Sequence, residues 1–497
     1  MQKKLSSLWA VALFLFIAIL LPCYVSKAGY SYIGTDKYHF FVYGMLPFVI
    51  TYILLLIYVF YKKIHISFCK TDWFVLAFAF CTLLSYLFSP YKDVALIGNE
   101  EWNLGLISQL MFVLIYFGIS RYLTHIKGCL YAVCMVNIPL TALAIINRFG
   151  YYPIKIKGIH PLYVSTFGNI NWFCGYLMII VGMELYLYFQ SKEKKEKCFF
   201  TLCLFLSLLS LICQGSMSGY ATLLFLLLLL LRPALTSRHA LLTYLEIYML
   251  LFSGCTLTYI SNYFIKGAYV EYDPIVDLVA FSPLPCVCLF LVASLYIIIS
   301  FCTEKINLGF IYKYVVIVCI IFLAVYFIVC GINTFYPKIT PFLNGNSFFT
   351  YNRYYFSTRG GTYTVGIQAF FSLPWYRKIM GIGPDCFLTY VYSHLDKISM
   401  AGCFQIQPLA NAHNEFLTML VNTGLLGCIA YMGIFFCSIK TALKTKNPYA
   451  KVVLYGILGY MINNFFSFQQ IISTPFVFVL LGIIENFSRK EKINVTN

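Results

Sequence analysis

The chain has 497 residues, of which 61% are hydrophobic, 19% aromatic and only 11% charged. A soluble domain carries about 25% charged residues, so a water-soluble globule, a disordered chain and a nucleic-acid-binding enzyme are all excluded. The net charge of +17 is then a membrane protein's charge, because the basic residues sit in short clusters between apolar runs.

The first run, MQKKLSSLWAVALFLFIAILLPC, has the basic start and apolar centre of a signal peptide. No small-x-small cleavage site follows, and the run is expected to be an uncleaved first helix. Apolar runs then predict helices at about 39–61, 73–87, 105–120, 129–146 and 171–189. Further helices are expected at about 199–213, 218–231, 240–260, 275–300 and 311–331, and the last three at about 414–436, 452–466 and 471–484. The expected class is an all-α polytopic membrane protein with about 12–14 transmembrane helices, forming one transmembrane domain over residues 1–497.

Charge assigns the sides. One set of connections holds about 22 of the 35 lysines and arginines, from Lys3 and Lys4 through Lys62, Lys127, Lys194, Arg238 and Lys446 to Lys492. By the positive-inside rule this side is cytoplasmic, with both termini on it, in a cell (inner) membrane. The opposite side carries a long extracytoplasmic loop at 332–412, before the antepenultimate helix. It holds Lys338, Arg353, Arg359, Arg377, Lys378 and Lys397 against only Asp385 and Asp396. An outward basic loop points to an anionic ligand such as a phosphate. Most of the 19 cysteines fall in apolar runs as small hydrophobes. Cys386 and Cys403 share the hydrophilic loop and could pair.

Three segments carry polar residues at the outer ends of apolar runs. TFGNINWFCGYL, at 166–177, has Gly168 for a tight turn and Asn169 or Asn171 to cap the next helix. GSMSG, at 215–219, is a turn between two helices. GIGPDCF, at 381–387, precedes AHNEFLTMLVNTGLLG, at 412–427, where a His-Asn-Glu run enters an apolar helix and needs polar partners. Singly, each reads as turn or capping chemistry.

Taken in order, the three segments resemble the O-antigen ligase and O-antigen polymerase family of bacterial envelope glycosyltransferases. That family shows a TFGNPN segment opening a helix, an SRG-like turn before another, and a long outer loop with an arginine. A GxGxxxF stretch and an HNxxL…GLxG helix follow. Asn169, Asn171, Arg359, Gly381, Gly383, Phe387, His413, Asn414 and Gly424 stand at matching places. The resemblance covers about 159–231 and 351–431, and elsewhere the helices match in character only. One departure matters: where the family's turn often has an arginine that helps hold the donor diphosphate, this chain has Met217. That favours a polymerase over a strict ligase.

The resemblance implies a polyprenyl-diphosphate-linked saccharide donor and a saccharide, lipid or protein acceptor at the outer membrane surface. The glycan is transferred to a hydroxyl with inversion, without a metal or other cofactor, and no nucleic acid takes part. The chemistry asks for a phosphate-binding cation and a base. Arg359 suits the first, because its planar fork holds two phosphate oxygens. His413 suits the second, since a neutral imidazole is available at neutral pH. Arg353, Arg377, Asn169, Asn171, Ser216, Asn414 and Glu415 are the expected substrate-binding residues, with Glu415 an alternative base. Two other readings stay open. Glu271 and Asp273, in VEYDP, could hold a divalent ion in a metal-dependent glycosyltransferase. Glu184, Glu246 and Asp277, inside apolar runs, could mark a transporter or lipid-oligosaccharide flippase.

Overall fold

The computed structural model describes residues 2–26, 29–64, 66–157, 163–265, 277–278, 282–302, 308–343, 346, 348–396, 398 and 409–496. Every regular element among them is helical. α1 (Gln2–Leu15) runs on through a π-helical stretch, Phe16–Leu20, to Leu21–Cys23. Then come α2 (Ile33–Tyr61), α3 (Lys70–Leu87), α4 (Lys92–Ile97), α5 (Leu106–Tyr122), α6 (Ile126–Arg148), α7 (Ile170–Gln190), α8 (Lys194–Gln214) and α9 (Met217–Ala234). α10 (Arg238–Phe264), α11 (Leu284–Ser300) and α12 (Gly309–Phe335) follow. The chain ends with α13 (Tyr355–Ser372), α14 (Trp375–Met380), α15 (Phe387–Ser393), α16 (Glu415–Lys444), α17 (Tyr449–Asn463) and α18 (Thr474–Thr496).

Each apolar run of the sequence is helical, usually with an extra turn at its ends. Two differ. Of the run expected at 275–300, residues 277 and 278 are helical and a continuous helix starts at Leu284 with prolines at its first turn, while 275–276 and 279–281 lie outside the described residues. The last run begins at Thr474, and residues 471–473 belong to the turn before it.

Among the described residues, ten helices are long and apolar enough to cross a membrane: α1 to α3, α6 to α10, α12 and α16. α5 and α11 are shorter apolar helices. α12 argues for lipid on its own. Its mean hydropathy is 3.2, and only 6% of its apolar window is buried by protein. Phe322, Phe327 and Ile328 are among its exposed side chains. Keeping each in water rather than burying it costs roughly 1.5–3 kcal/mol, so this surface belongs against lipid tails. The chain is a multi-pass membrane protein.

α7, α17 and the first turns of α18 are buried almost all round. At the α7–α17 contact, a Cβ on Gly182 would run into the Tyr455 carbonyl, and one on Gly459 into that of Met178. Lipid gives helices no hydrophobic reason to associate, so close backbone approach at small residues supplies the packing.

The stretch expected as a long loop is folded where described. α13, α14 and α15 lie here, and Val365, Phe387, Tyr390 and Val391 form a small core with Ala95 of α4. None of the three helices is a membrane-crossing candidate. The glycine turn at 381–383 seats on a break in α16, where Gly424 adopts φ 70 and ψ −176. The break exposes the Asn422 carbonyl, which accepts from the N–H groups of Ile382 at 3.1 Å and Gly383 at 3.0 Å. The Ser85 hydroxyl donates to it at 2.6 Å. A Cβ on Gly381 would strike Asn422, and one on Gly424 would strike Ile379.

At the other end of the bundle, Asp72 caps α3 and is fully buried. It accepts from the Tyr116 hydroxyl at 2.9 Å and pairs with Arg121 at 3.5 Å and with Arg489.

Candidate functional site

The site is organised by the turn between α17 and α18, which joins the segments singled out in the sequence. The run expected at 452–466 stops at Asn463, because Asn463 and Asn464 use their amides for buried contacts rather than continuing an apolar helix. The Phe465 carbonyl accepts from Tyr363 Oη at 2.8 Å and from Asn414 Nδ2 at 3.0 Å. The next carbonyl, of Phe466, accepts from Arg359 Nε at 3.3 Å. The Glu415 N–H donates to the Asn464 carbonyl at 2.9 Å. On the other flank Gln470 Nε2 donates to the Asn171 carbonyl at 3.3 Å, and Cys174 Sγ lies 3.6 Å from Asn463 Oδ1. Cys174 also lies 3.9 Å from Ser218 Oγ. Arg359 and the segments 166–177, 215–219 and 412–427 therefore converge on one turn.

His413 precedes α16 with φ 48, a left-handed backbone that costs a side-chain-bearing residue about 1–2 kcal/mol. Asparagines hold it there. Asn411 Oδ1 accepts the His413 N–H at 3.0 Å, and Asn414 caps α16 by accepting the Leu417 N–H at 2.9 Å. The Phe468 ring meets the imidazole edge-on, with centroids 5.2 Å apart. Nδ1 is enclosed without a hydrogen-bond partner among the described residues. Burial first, and then the positive charge of Arg359, push the imidazole pKa from 6.5 down to about 3. His413 is thus neutral at neutral pH beside a permanent cation. Half-buried Arg359 stands on the first turns of α13. The pair can hold an anion next to a proton-accepting nitrogen.

Glu415 lies beneath this surface rather than on it, at 1% exposure. Its Oε1 accepts from the Tyr431 hydroxyl and from the Tyr460 hydroxyl at 3.1 Å, and its Oε2 accepts from Asn464 Nδ2. Gln469 Nε2 donates to Tyr431 Oη at 3.1 Å, and Gln109 Nε2 to Gln469 Oε1 at 2.9 Å. Both carboxylate oxygens are engaged, so Glu415 braces the turn.

The other expected residues divide. Asn169 is exposed and caps α7, accepting the Asn171 N–H at 2.8 Å. Asn171 is half-buried and offers its carbonyl to Gln470. Ser216 is buried at the start of α9, its hydroxyl 3.1 Å from that of Ser218. Arg353 is exposed just before α13, its guanidinium over the Tyr354 ring at 4.6 Å. Arg377 is on α14 over Tyr376 at 5.6 Å, and its charge acts on Tyr390 in the small outer core. Met217 packs with Ile212, Tyr220, Leu251 and Cys255 in an apolar cluster. Glu246 is tied to Lys197 at 3.0 Å and Tyr188 at 2.8 Å, and Asp277 is exposed. Glu271, Asp273 and Cys403 lie outside the described residues. Among the described residues no group of three or more His, Cys, Asp or Glu side chains could hold a metal ion.

Several residues of the site are not singled out by the sequence. Lys37 is fully buried on α2, and its ammonium donates to the carbonyls of Leu21 at 3.2 Å, Pro22 at 3.3 Å and Tyr24 at 2.8 Å. Thr166 donates to the same Pro22 carbonyl at 2.6 Å, so Lys37 anchors the 166–177 segment against the end of the first helix. Asp385 accepts from the N–H groups of Asn99 at 2.9 Å and Leu104 at 3.1 Å, and burial pushes its carboxyl up to about 7. A cavity of about 30 Å³, lined by Trp102, Asp385, Asn411, Glu415 and Gln469, lies behind the turn. It has room for water but not for a sugar ring. The run NNFFSFQQ, polar residues inside an apolar stretch, was the available signal for this turn.

The chain matches no known family model, and no curated protein sequence matches it.

Proposed function

We propose that this protein is a membrane glycosyltransferase that moves a glycan from a polyprenyl-diphosphate-linked donor to an acceptor hydroxyl, as a polysaccharide polymerase or ligase. In this reading fourteen helices cross the membrane, both termini are cytoplasmic, and the turn 464–473 opens to the outer surface. The observation that carries the reading is the meeting of Arg359, His413 and the 166–177 segment on that turn. The glycosyl–phosphate bond already has a good leaving group. What remains is to neutralise the diphosphate, orient the acceptor and remove its proton. Arg359 holds the phosphates, His413 takes the proton, and Arg353, exposed at the start of the same helix, adds charge at the rim. Once an anion neutralises Arg359, the charge opposing protonation of His413 is removed. The base therefore strengthens when the donor is bound.

The test is chemical. Deleting the gene should cause lipid-diphosphate-linked saccharide units to accumulate on the outer face of the membrane, and wild type but not His413→Ala should clear them. Accumulation on the inner face would favour a flippase. That second reading has one observation in its favour: Glu184 is fully buried on α7, with Asn137 Nδ2 at 3.3 Å from Oε1 and with Oε2 enclosed without a hydrogen-bond partner among the described residues. Such a carboxyl inside an apolar bundle is a usual mark of an ion or proton path.

A further inference from the structure

At the end of the bundle opposite Arg359 and His413, α3, α16 and α18 enclose a cavity of about 790 Å³. Lys70 enters it from the start of α3, Lys440 and Lys444 from the last turns of α16, and Lys492 from α18. Two carboxylates share the lining, and both sit toward its α18 wall. Glu485 is buried, and Glu491 Oε1 accepts the N–H groups of Lys446 at 2.9 Å and Asn447 at 3.0 Å.

The positive-inside rule explains why basic residues abound at this end, but not why they converge on one cavity. Elsewhere at this end several cations are committed. Lys127 pairs with Glu196 at 3.0 Å, Lys197 with Glu246 at 3.0 Å, and Arg121 and Arg489 with Asp72. Lys70, Lys440 and Lys444 are exposed, and none of them is in an ion pair among the described residues. Lysines outnumber carboxylates in the lining, so Glu485 and Glu491 offset the positive charge only in part and an anion is favoured there. In the membrane reading helix ends such as these lie at the headgroup layer, and Phe436 and Leu443, next in sequence to the lining residues Cys437 and Lys444, are exposed apolar side chains. We propose that this cavity binds a phosphoryl group, and that its physiological source is the headgroup of an anionic phospholipid, which clamps the end of α16. The proposal needs the membrane reading alone and stands whether or not the transferase reading holds.

The test uses the full chain, reconstituted in nanodiscs of phosphatidylcholine with or without phosphatidylglycerol. Lipid retention is read by native mass spectrometry and stability by thermal unfolding. Wild type should retain phosphatidylglycerol and unfold at a higher temperature with it. The triple variant Lys70→Gln/Lys440→Gln/Lys444→Gln should bind it roughly 100-fold more weakly, given what each lysine near an anionic headgroup contributes. The corresponding triple arginine variant should keep binding, and so should Lys194→Gln/Lys195→Gln, two exposed lysines elsewhere on the chain. Inorganic phosphate that stabilises the detergent-solubilised protein and displaces the lipid would assign the same site to a soluble phosphate. Equal retention of both lipids, or unchanged retention in the glutamine triple, would overturn the proposal.

Discussion

The Arg359 guanidinium acts directly on the protonation of His413: its charge adds to burial in holding the imidazole neutral far below its ordinary range. The pH dependence of the proposed reaction follows. In the unliganded protein His413 takes a proton only near pH 3. kcat/KM, which reports the free enzyme, should therefore show no acid limb near 6.5, the ordinary value for this group. Donor diphosphate neutralises Arg359, so the acid limb in kcat should lie at higher pH than any limb in kcat/KM. Profiles from about pH 5 to 8 measure both. A limb near 6.5 in kcat/KM that disappears in His413→Ala would contradict the geometry. Stability has a matching sign. The unfolded chain binds a proton at 6.5 and the folded one near 3, so His413 lowers stability progressively as pH falls from 6.5 toward 3.

The two residues should separate kinetically. Arg359→Lys keeps a charge but loses the planar fork and the Nε contact to Phe466, so donor affinity should weaken together with turnover. His413→Ala should leave donor affinity nearly intact and slow single turnover by about 100- to 10,000-fold. Donor-lipid binding and single-turnover rates in reconstituted membranes distinguish the outcomes. A folded and fully active His413→Ala protein would remove the base. Glu415 is no ready substitute, because its oxygens are already engaged.

What could be read in advance was what repeats along one helix. Apolar runs located the helices, since spanning length and composition are local properties. Asn169 and Asn414 were legible as caps, because a cap serves the helix that directly follows it. The roles of Glu415 and Lys37 were not legible. Glu415 was expected to bind substrate or to serve as an alternative base, but the first turn of α16 directs it inward to Tyr431 and Tyr460, which lie on this helix and on α17. Lys37 precedes the apolar run expected at 39–61 and nothing in the sequence singles it out, yet it satisfies the carbonyls that end the first helix. Partners far apart in sequence carry no periodic signal. The turn 464–473 was missed for a related reason: its phenylalanines extend the apolar run, and only the neighbouring amides reveal that the helix has ended.

Glu415→Gln tests the brace. The substitution turns one acceptor into an amide donor facing either a tyrosine hydroxyl or Asn464 Nδ2, so a buried donor is left unmatched. The expected loss is about 1–3 kcal/mol, read as a lower unfolding temperature in detergent. Turnover should fall as well, since Glu415 holds the turn that carries Phe465 and Phe466. A pH profile displaced in Glu415→Gln while stability stays at the wild-type value would restore Glu415 as a titrating participant.

Gly424→Ala tests the seat of the glycine turn. The residue has a left-handed φ, which costs alanine about 1–2 kcal/mol. Its Cβ would also collide with Ile379, displacing α14 from α16. The variant should unfold at lower temperature, and an amide-exchange experiment should show protection lost first at residues 379–387. By contrast, Gly128→Ala meets nothing within contact distance and should be silent or slightly stabilising, because alanine is the better helix former. If the two substitutions behaved alike, the break in α16 would not be what holds the turn.

The orientation of the bundle can be tested at exposed positions. Arg353 precedes α13 at the end that carries the candidate site, and Lys194 opens α8 at the end that carries the lysine cavity. In the proposed orientation the second end, dense in lysine and arginine, is the cytoplasmic one. Single cysteines placed by Arg353→Cys and Lys194→Cys, in a background cleared of native cysteines, should react differently with a membrane-impermeant thiol reagent. In intact cells or spheroplasts the first should label and the second only after permeabilisation. Both positions are exposed, so failure to label would not be a matter of burial. Labelling of Lys194→Cys alone would turn the protein over. Arg359 and His413 would then face the cytoplasm, and the proposed transfer from an outward-facing lipid donor would have to be abandoned. The lysine cavity would meet outer-leaflet headgroups instead, while its phosphate chemistry would be unchanged.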